Sequence, residues 1–78
     1  MERIRALALN PDGFAFDPTT GESFTLNPTG VRVLEGLRRG LSPEEISAGL
    51  VEEFDVPESD ATRDVADFMD HLRAFRLI

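Results

Sequence analysis

The chain contains no cysteine in its 78 residues. Disulfide staples and thiolate metal sites are therefore excluded, and an intracellular home is favoured. Lysine is also missing: all eight basic residues are arginine, set against fifteen Asp and Glu, for a formal net charge of −7. A balance this acidic disfavours nucleic acid and anionic membrane as partners. No segment approaches the ~20 apolar residues of a membrane span. The apolar run Ile4 to Leu9 is too short for a signal-peptide core, and nothing after it reads as a cleavage site. Cytoplasm is the expected compartment.

Catalytic signals are scarce. His71 is the one histidine. A Ser-His-acid set can be drawn on paper, but no spacing places its members together. Asp12-Gly13 and Thr20-Gly21 are turn glycines, and the Gly-x-Gly and Gly-Lys-Ser/Thr phosphate patterns are missing. Asp60, Asp64, Asp67 and Asp70 recur at helical spacing. One straight helix face offers carboxylates side by side rather than wrapped around an ion, so they read as a solvated face. Neither an enzyme nor a metal or cofactor is expected.

What the chain does have is 41% hydrophobic residues and six Phe, enough for one compact core. At this length a fold buries only about 60% of its unfolded surface. One domain over 1–78 is expected, with no room for a deep cleft and no internal repeat or linker.

The first 27 residues read as β. Strands are expected at about 4–9, 13–17 and 22–26, separated by the turn signals Asn10-Pro11-Asp12-Gly13 and Asp17-Pro18-Thr19-Thr20-Gly21. Phe14 and Phe16 share one strand face. Phe24 and Leu26 should point inward, with Ser23 and Thr25 outward. The rest reads as helix. Asn27 is a candidate N-cap with Pro28 at the first helical position, opening a helix over about 28–39 that stops at Gly40. Ser42-Pro43-Glu44-Glu45 is a capping box for a second helix, 43–54. Asp55-Val56-Pro57 breaks the chain before a third helix, 58–76. The expected fold is α+β: a three-stranded antiparallel sheet followed by three helices, the skeleton of a small winged helix-turn-helix. From Glu44 to Asp70 there are ten Asp or Glu and one Arg. A DNA reader neutralises phosphates with Lys and Arg, so this shape is expected to serve a peptide instead.

Two surfaces stand out. The third strand, Glu22, Ser23, Phe24, Thr25 and Leu26, offers free main-chain groups to an added strand if it lies at the sheet edge. Its small side chains would not block docking. The stripe Ala61, Val65, Phe68, Met69, Leu72 and Phe75 on the third helix reads first as core. Yet five large apolar side chains between Val65 and Phe75 are generous for so small a core, and some could line a groove at the helix–sheet junction. Met69 is the first candidate, because Met adapts to varied ligands.

Leu26-Asn27-Pro28-Thr29-Gly30, Gly40-Leu41-Ser42-Pro43-Glu44-Glu45-Ile46, Glu53-Phe54-Asp55-Val56, Asp64-Val65-Ala66-Asp67-Phe68, Leu72 and Leu77-Ile78 together resemble the PqqD family, founded on a coenzyme PQQ synthesis protein. The resemblance implies a RiPP recognition element. Such a domain is non-catalytic and binds the leader segment of a ribosomal precursor peptide beside its third strand and third helix. It presents that peptide to a modifying enzyme, often of the radical-SAM class; some relatives accompany HPr-kinase-like enzymes as proposed peptide chaperones. Carried over, the contact strand is Glu22 to Leu26 and the contact helix runs from about Arg63 to Phe75. On the peptide-binding reading, Phe24 and Leu26 would hold the strand from below and Arg63, Asp67, Met69, Asp70 and His71 would set specificity from the helix. One departure is Arg76, where the family usually has Gly before the final Leu pair, which leaves the C-terminal turn open. Gly30 and Gly36 inside the first helix call for close packing. A monomer or weak dimer is expected. The rival readings are a dedicated non-catalytic subunit of one enzyme and, against the charge, a DNA-binding regulator.

Overall fold

The structure, a computed structural model, describes residues 2–78, with Glu2 described by its backbone alone. A short helix α1 (Glu2–Ala6) precedes three strands, β1 (Ala8–Asn10), β2 (Phe14–Phe16) and β3 (Ser23–Thr25), which pair antiparallel in the order β1-β2-β3. Three helices follow: α2 (Pro28–Arg38), α3 (Pro43–Phe54) and α4 (Glu58–Ala74).

The first strand is a correction. Residues 4–6 of the expected strand 4–9 are helical, and strand begins only at Ala8. A short apolar run is compatible with either state. Tertiary packing decides here: Ile4 in α1 and Leu7 just past its end are both buried in the core.

The two turn glycines of the meander have left-handed φ, 95° at Gly13 and 79° at Gly21. Gly13 also leaves no room for a Cβ, because the carbonyl of Leu26 lies against its α-carbon. On β2, Ala15 is buried whereas Phe14 and Phe16 are 48% and 39% exposed. The inner face of the sheet therefore holds Ala15 and Phe24, and both β2 rings lie on the outer face.

The helices begin where their caps dictate. Asn27 accepts from the Gly30 N–H at 2.7 Å. Ser42 accepts from the Glu45 N–H at 3.1 Å, and Glu45 accepts from the Ser42 N–H at 2.9 Å, so the capping box is complete. The bond from the Ser42 N–H is the main reason that the Glu45 carboxyl is held below its ordinary range. α2 ends in a Schellman turn with Gly40 at φ 81°: Gly40 N–H donates to Leu37 O and Leu41 N–H to Gly36 O. Gly36 itself faces Ile46 of α3, where a Cβ would come within 2.7 Å of Ile46 Cγ1, so the two helices approach at the distance that glycine allows. Val33, Leu34 and Leu37 of α2, Ile46 and Leu50 of α3, and Ala61, Val65 and Leu72 of α4 close the core.

α4 stops at Ala74, not 76. Arg76 takes the left-handed conformation, φ 58°. Its N–H donates to Arg73 O, and the Leu77 N–H donates to Leu72 O. This is a second Schellman turn, built with Arg where Gly is the cheaper residue. The buried Leu77 packs in the same core cluster as Leu72. Arg3 closes the fold from the other end of the chain. It donates to the Arg76 carbonyl at 3.0 Å and to Asp17 Oδ2 at 2.7 Å. Asp17 is 1% exposed, and its other oxygen accepts from the Thr19 N–H.

Candidate functional site

β3 pairs with β2 on one side only. Main-chain direction alternates along a strand. Asp17 N–H donates to Glu22 O and Leu26 N–H to Gly13 O, so Glu22, Phe24 and Leu26 turn their main-chain groups toward β2. Ser23 and Thr25 consequently turn theirs outward, with no partner strand among the described residues. The open edge carries donor and acceptor pairs two residues apart.

Beside that edge runs a groove of about 190 Å³, lined by Phe24, Thr25, Leu26, Phe68, His71 and Phe75 along its rim, with Leu7, Ala15, Leu34, Leu72 and Leu77 deeper. Sites that swallow whole small molecules are typically 300–1,000 Å³; this volume suits one or two apolar side chains. Among the described residues that line it, Thr25 and His71 supply the polar side-chain groups. Phe24 of β3 and Phe75 of α4 meet edge to face, centroids 5.1 Å apart at 69°. That pair joins strand to helix at one end. At the other end, Gly30 lets α2 come up against Phe68: a Cβ there would sit 3.0 Å from the ring. A shallower hollow continues past Phe68 and His71 to Asp64, Asp67, Asn27, Thr29 and Gly30.

The face of α4 turned to this groove carries Asp64, Asp67, Phe68, His71, Leu72 and Phe75, the i, i+3, i+4 spacing of one helical stripe. A second stripe, Thr62, Val65, Ala66, Met69, Asp70 and Arg73, lies along a separate hollow with Pro43, Glu44 and Ser47 of α3. The expected site residues therefore divide. Phe24, Thr25, Leu26 and His71 line the groove, and Asp67 lies at its continuation. Ser23 adds main-chain groups to the edge. Glu22 is exposed, with its carbonyl committed to β2. Met69 and Asp70 lie on the α3 side, because a step of one or two residues turns a helix by 100° or 200°. Asp70 pairs there with Arg73 at 2.8 Å. Arg63 is exposed and pairs with Asp60 at 3.2 Å.

The sequence did not single out Phe75 as a wall of the site. It reads as core, yet it is 50% exposed. Nothing local marks Leu7, Ala15 or Leu77 as groove residues, since tertiary packing alone brings them together. Among the described residues no three His, Asp or Glu converge as metal ligands, and no helix is long and apolar enough to cross a membrane.

Comparison with known proteins bears on this geometry. The profile of the family described as Coenzyme PQQ synthesis protein D (PqqD) matches residues 6–78. Two solved structures are similar, each 30% identical in sequence. One is lasso peptide synthetase B1 complexed with the leader peptide, with a TM-score of 0.75 over 87% of this chain and 81% of that one. The other is TbiB1 in complex with the TbiA(beta) leader peptide, with a TM-score of 0.79 over 91% of this chain and 84% of that one. Among curated proteins no sequence matches.

Proposed function

The chain belongs to the PqqD family, and on that premise we propose that it binds the leader segment of a precursor peptide as an added strand along β3, without catalysis, and presents it to a modifying enzyme. The observation that carries the proposal is the outward main chain of Ser23 and Thr25 directly beside the apolar groove between β3 and α4. Main-chain bonds to an edge give affinity for any extended segment, and the side chains beside the edge give selectivity. Both similar structures are described as complexes with leader peptides, which supports the same role here. A groove walled mainly by Phe and Leu side chains suits holding a peptide, which supports retention and presentation as the role. The unit that binds is the whole domain, because the groove takes Leu7 from one end of the chain and Leu77 from the other.

The test is an NMR titration of the labelled protein with precursor peptides encoded beside its gene. Amide shifts concentrated on Glu22–Leu26 and on the Asp64–Phe75 face are expected. Saturable shifts confined to the α2–α3 surface, or no shifts with any such peptide, would overturn strand addition at β3.

A further inference from the structure

Resting on the strand-addition reading, we infer that the peptide this domain selects carries an apolar side chain and, two residues away, a Lys or Arg that reaches Asp64 and Asp67. The register of the edge dictates the spacing. Side chains directly opposite one another across a strand pair point to the same face of the sheet. Phe24 and Leu26 point inward, so the added residues opposite them also point inward, two apart. The residue opposite Phe24 meets the apolar groove between Phe24, Phe68, Leu72 and Phe75. The residue opposite Leu26 meets the continuation of that groove, where Phe68 and His71 give way to Asp64 and Asp67.

These two carboxylates differ from their neighbours on α4. Asp60 and Asp70 are paired with Arg63 and Arg73. Asp64 and Asp67 have no ion-pair partner among the described residues and stand exposed on the groove side. The N-terminus of α2 adjoins the hollow through Asn27, Thr29 and Gly30. A helix terminus is worth about half a positive charge, and here Pro28 lacks an N–H while Asn27 occupies that of Gly30. Two carboxylates exceed that contribution, so the end of the groove stays negative. A Lys or Arg stem lies along Phe68 while its head reaches the carboxylates, the usual behaviour of an amphipathic side chain. The net charge of −7 also speeds encounter with a basic segment.

The experiment is selection of random dodecapeptides on the full chain, followed by the same selection on the D64N/D67N variant. The expected result is enrichment of an apolar residue with Lys or Arg two positions away, and loss of the basic preference alone in the variant. For a selected peptide, D64N/D67N should weaken binding roughly two- to tenfold, on the scale of one or two exposed ion pairs, and flatten its salt dependence. E44Q/E52Q, which removes the same charge from α3, should leave that basic preference in place. Enriched peptides with an apolar anchor but no basic preference, or one that persists in D64N/D67N, would overturn this inference and leave strand addition standing. Failure to enrich any peptide would overturn both.

Discussion

The guanidinium of Arg3 lies 2.7 Å from the carboxylate of Asp17, which is almost wholly buried at the end of β2. The hydrogen bond from Arg3 is the main reason that the Asp17 carboxyl is held below its ordinary value of 3.8, with bonds from Thr19 and Thr20 adding to it and burial opposing it. A carboxyl with a depressed folded value stabilises the fold above its unfolded value, and that stabilisation is lost as pH falls through the folded one. Melting temperature should therefore be flat in Asp17's contribution near neutrality and drop in acid. Arg3→Leu should lower the neutral plateau and shrink the acid drop. The same acid profile in the variant, followed by circular dichroism, would show that Asp17 is held by its local turn alone.

Thr25→Pro tests the edge. Its N–H faces away from β2, so the substitution removes a donor for the added strand while sparing the bonds between β2 and β3. Binding of the leader peptide should fall below detection by calorimetry in a protein whose far-ultraviolet spectrum is unchanged. Full affinity in the folded variant would move the peptide off this edge.

Phe75→Ala should separate binding from stability. The ring is half exposed, and its edge-to-face contact with Phe24 is worth about 0.5–1.5 kcal/mol. The melting temperature should change by a few degrees, on the scale of about 4–8 °C per kcal/mol for a domain of this size. Peptide affinity should fall several-fold as the groove loses one wall. A large loss of stability with unchanged affinity would reassign Phe75 to the core.

Arg76→Gly should stabilise the protein. A left-handed residue with a Cβ costs about 1–2 kcal/mol, and the added freedom of glycine in the unfolded chain returns about 0.5–1 kcal/mol of that. A net gain of roughly 0.5–1 kcal/mol is expected in urea denaturation. The bond from Arg3 survives, because it goes to a main-chain carbonyl.

Local chemistry made α2 and α3 legible. Asn27-Pro28 and the Ser42–Glu45 capping box mark their starts with side chains that do their work within three residues. Gly36 read as a sign of close packing and meets Ile46. The segment around Ile4 was not legible, because a few apolar residues fit one helical turn as well as a strand. At the other end, the stop after Ala74 is set by Leu77 packing back into the core despite Arg at the left-handed position, which no propensity favours. For the candidate site, β3 and α4 stood out in the sequence, but the choice between the Met69 and Phe75 sides of α4 did not. Both belong to stripes of helical spacing, and the packing of α3 on one of them decides which remains open.

Arg3 joins positions 73 residues apart through its bond to the Arg76 carbonyl, and that one bond encloses nearly the whole chain as a loop. Closing a loop of that length forfeits more chain entropy than any local contact, and a contact made only after the barrier slows unfolding without changing the folding rate. The Leu7–Leu77 end of the groove is therefore expected to be set last and to loosen first. Arg3→Ala should leave the refolding limb of the chevron in place and raise the unfolding limb. The protein's kinetic lifetime, rather than its rate of assembly, is written into that clasp.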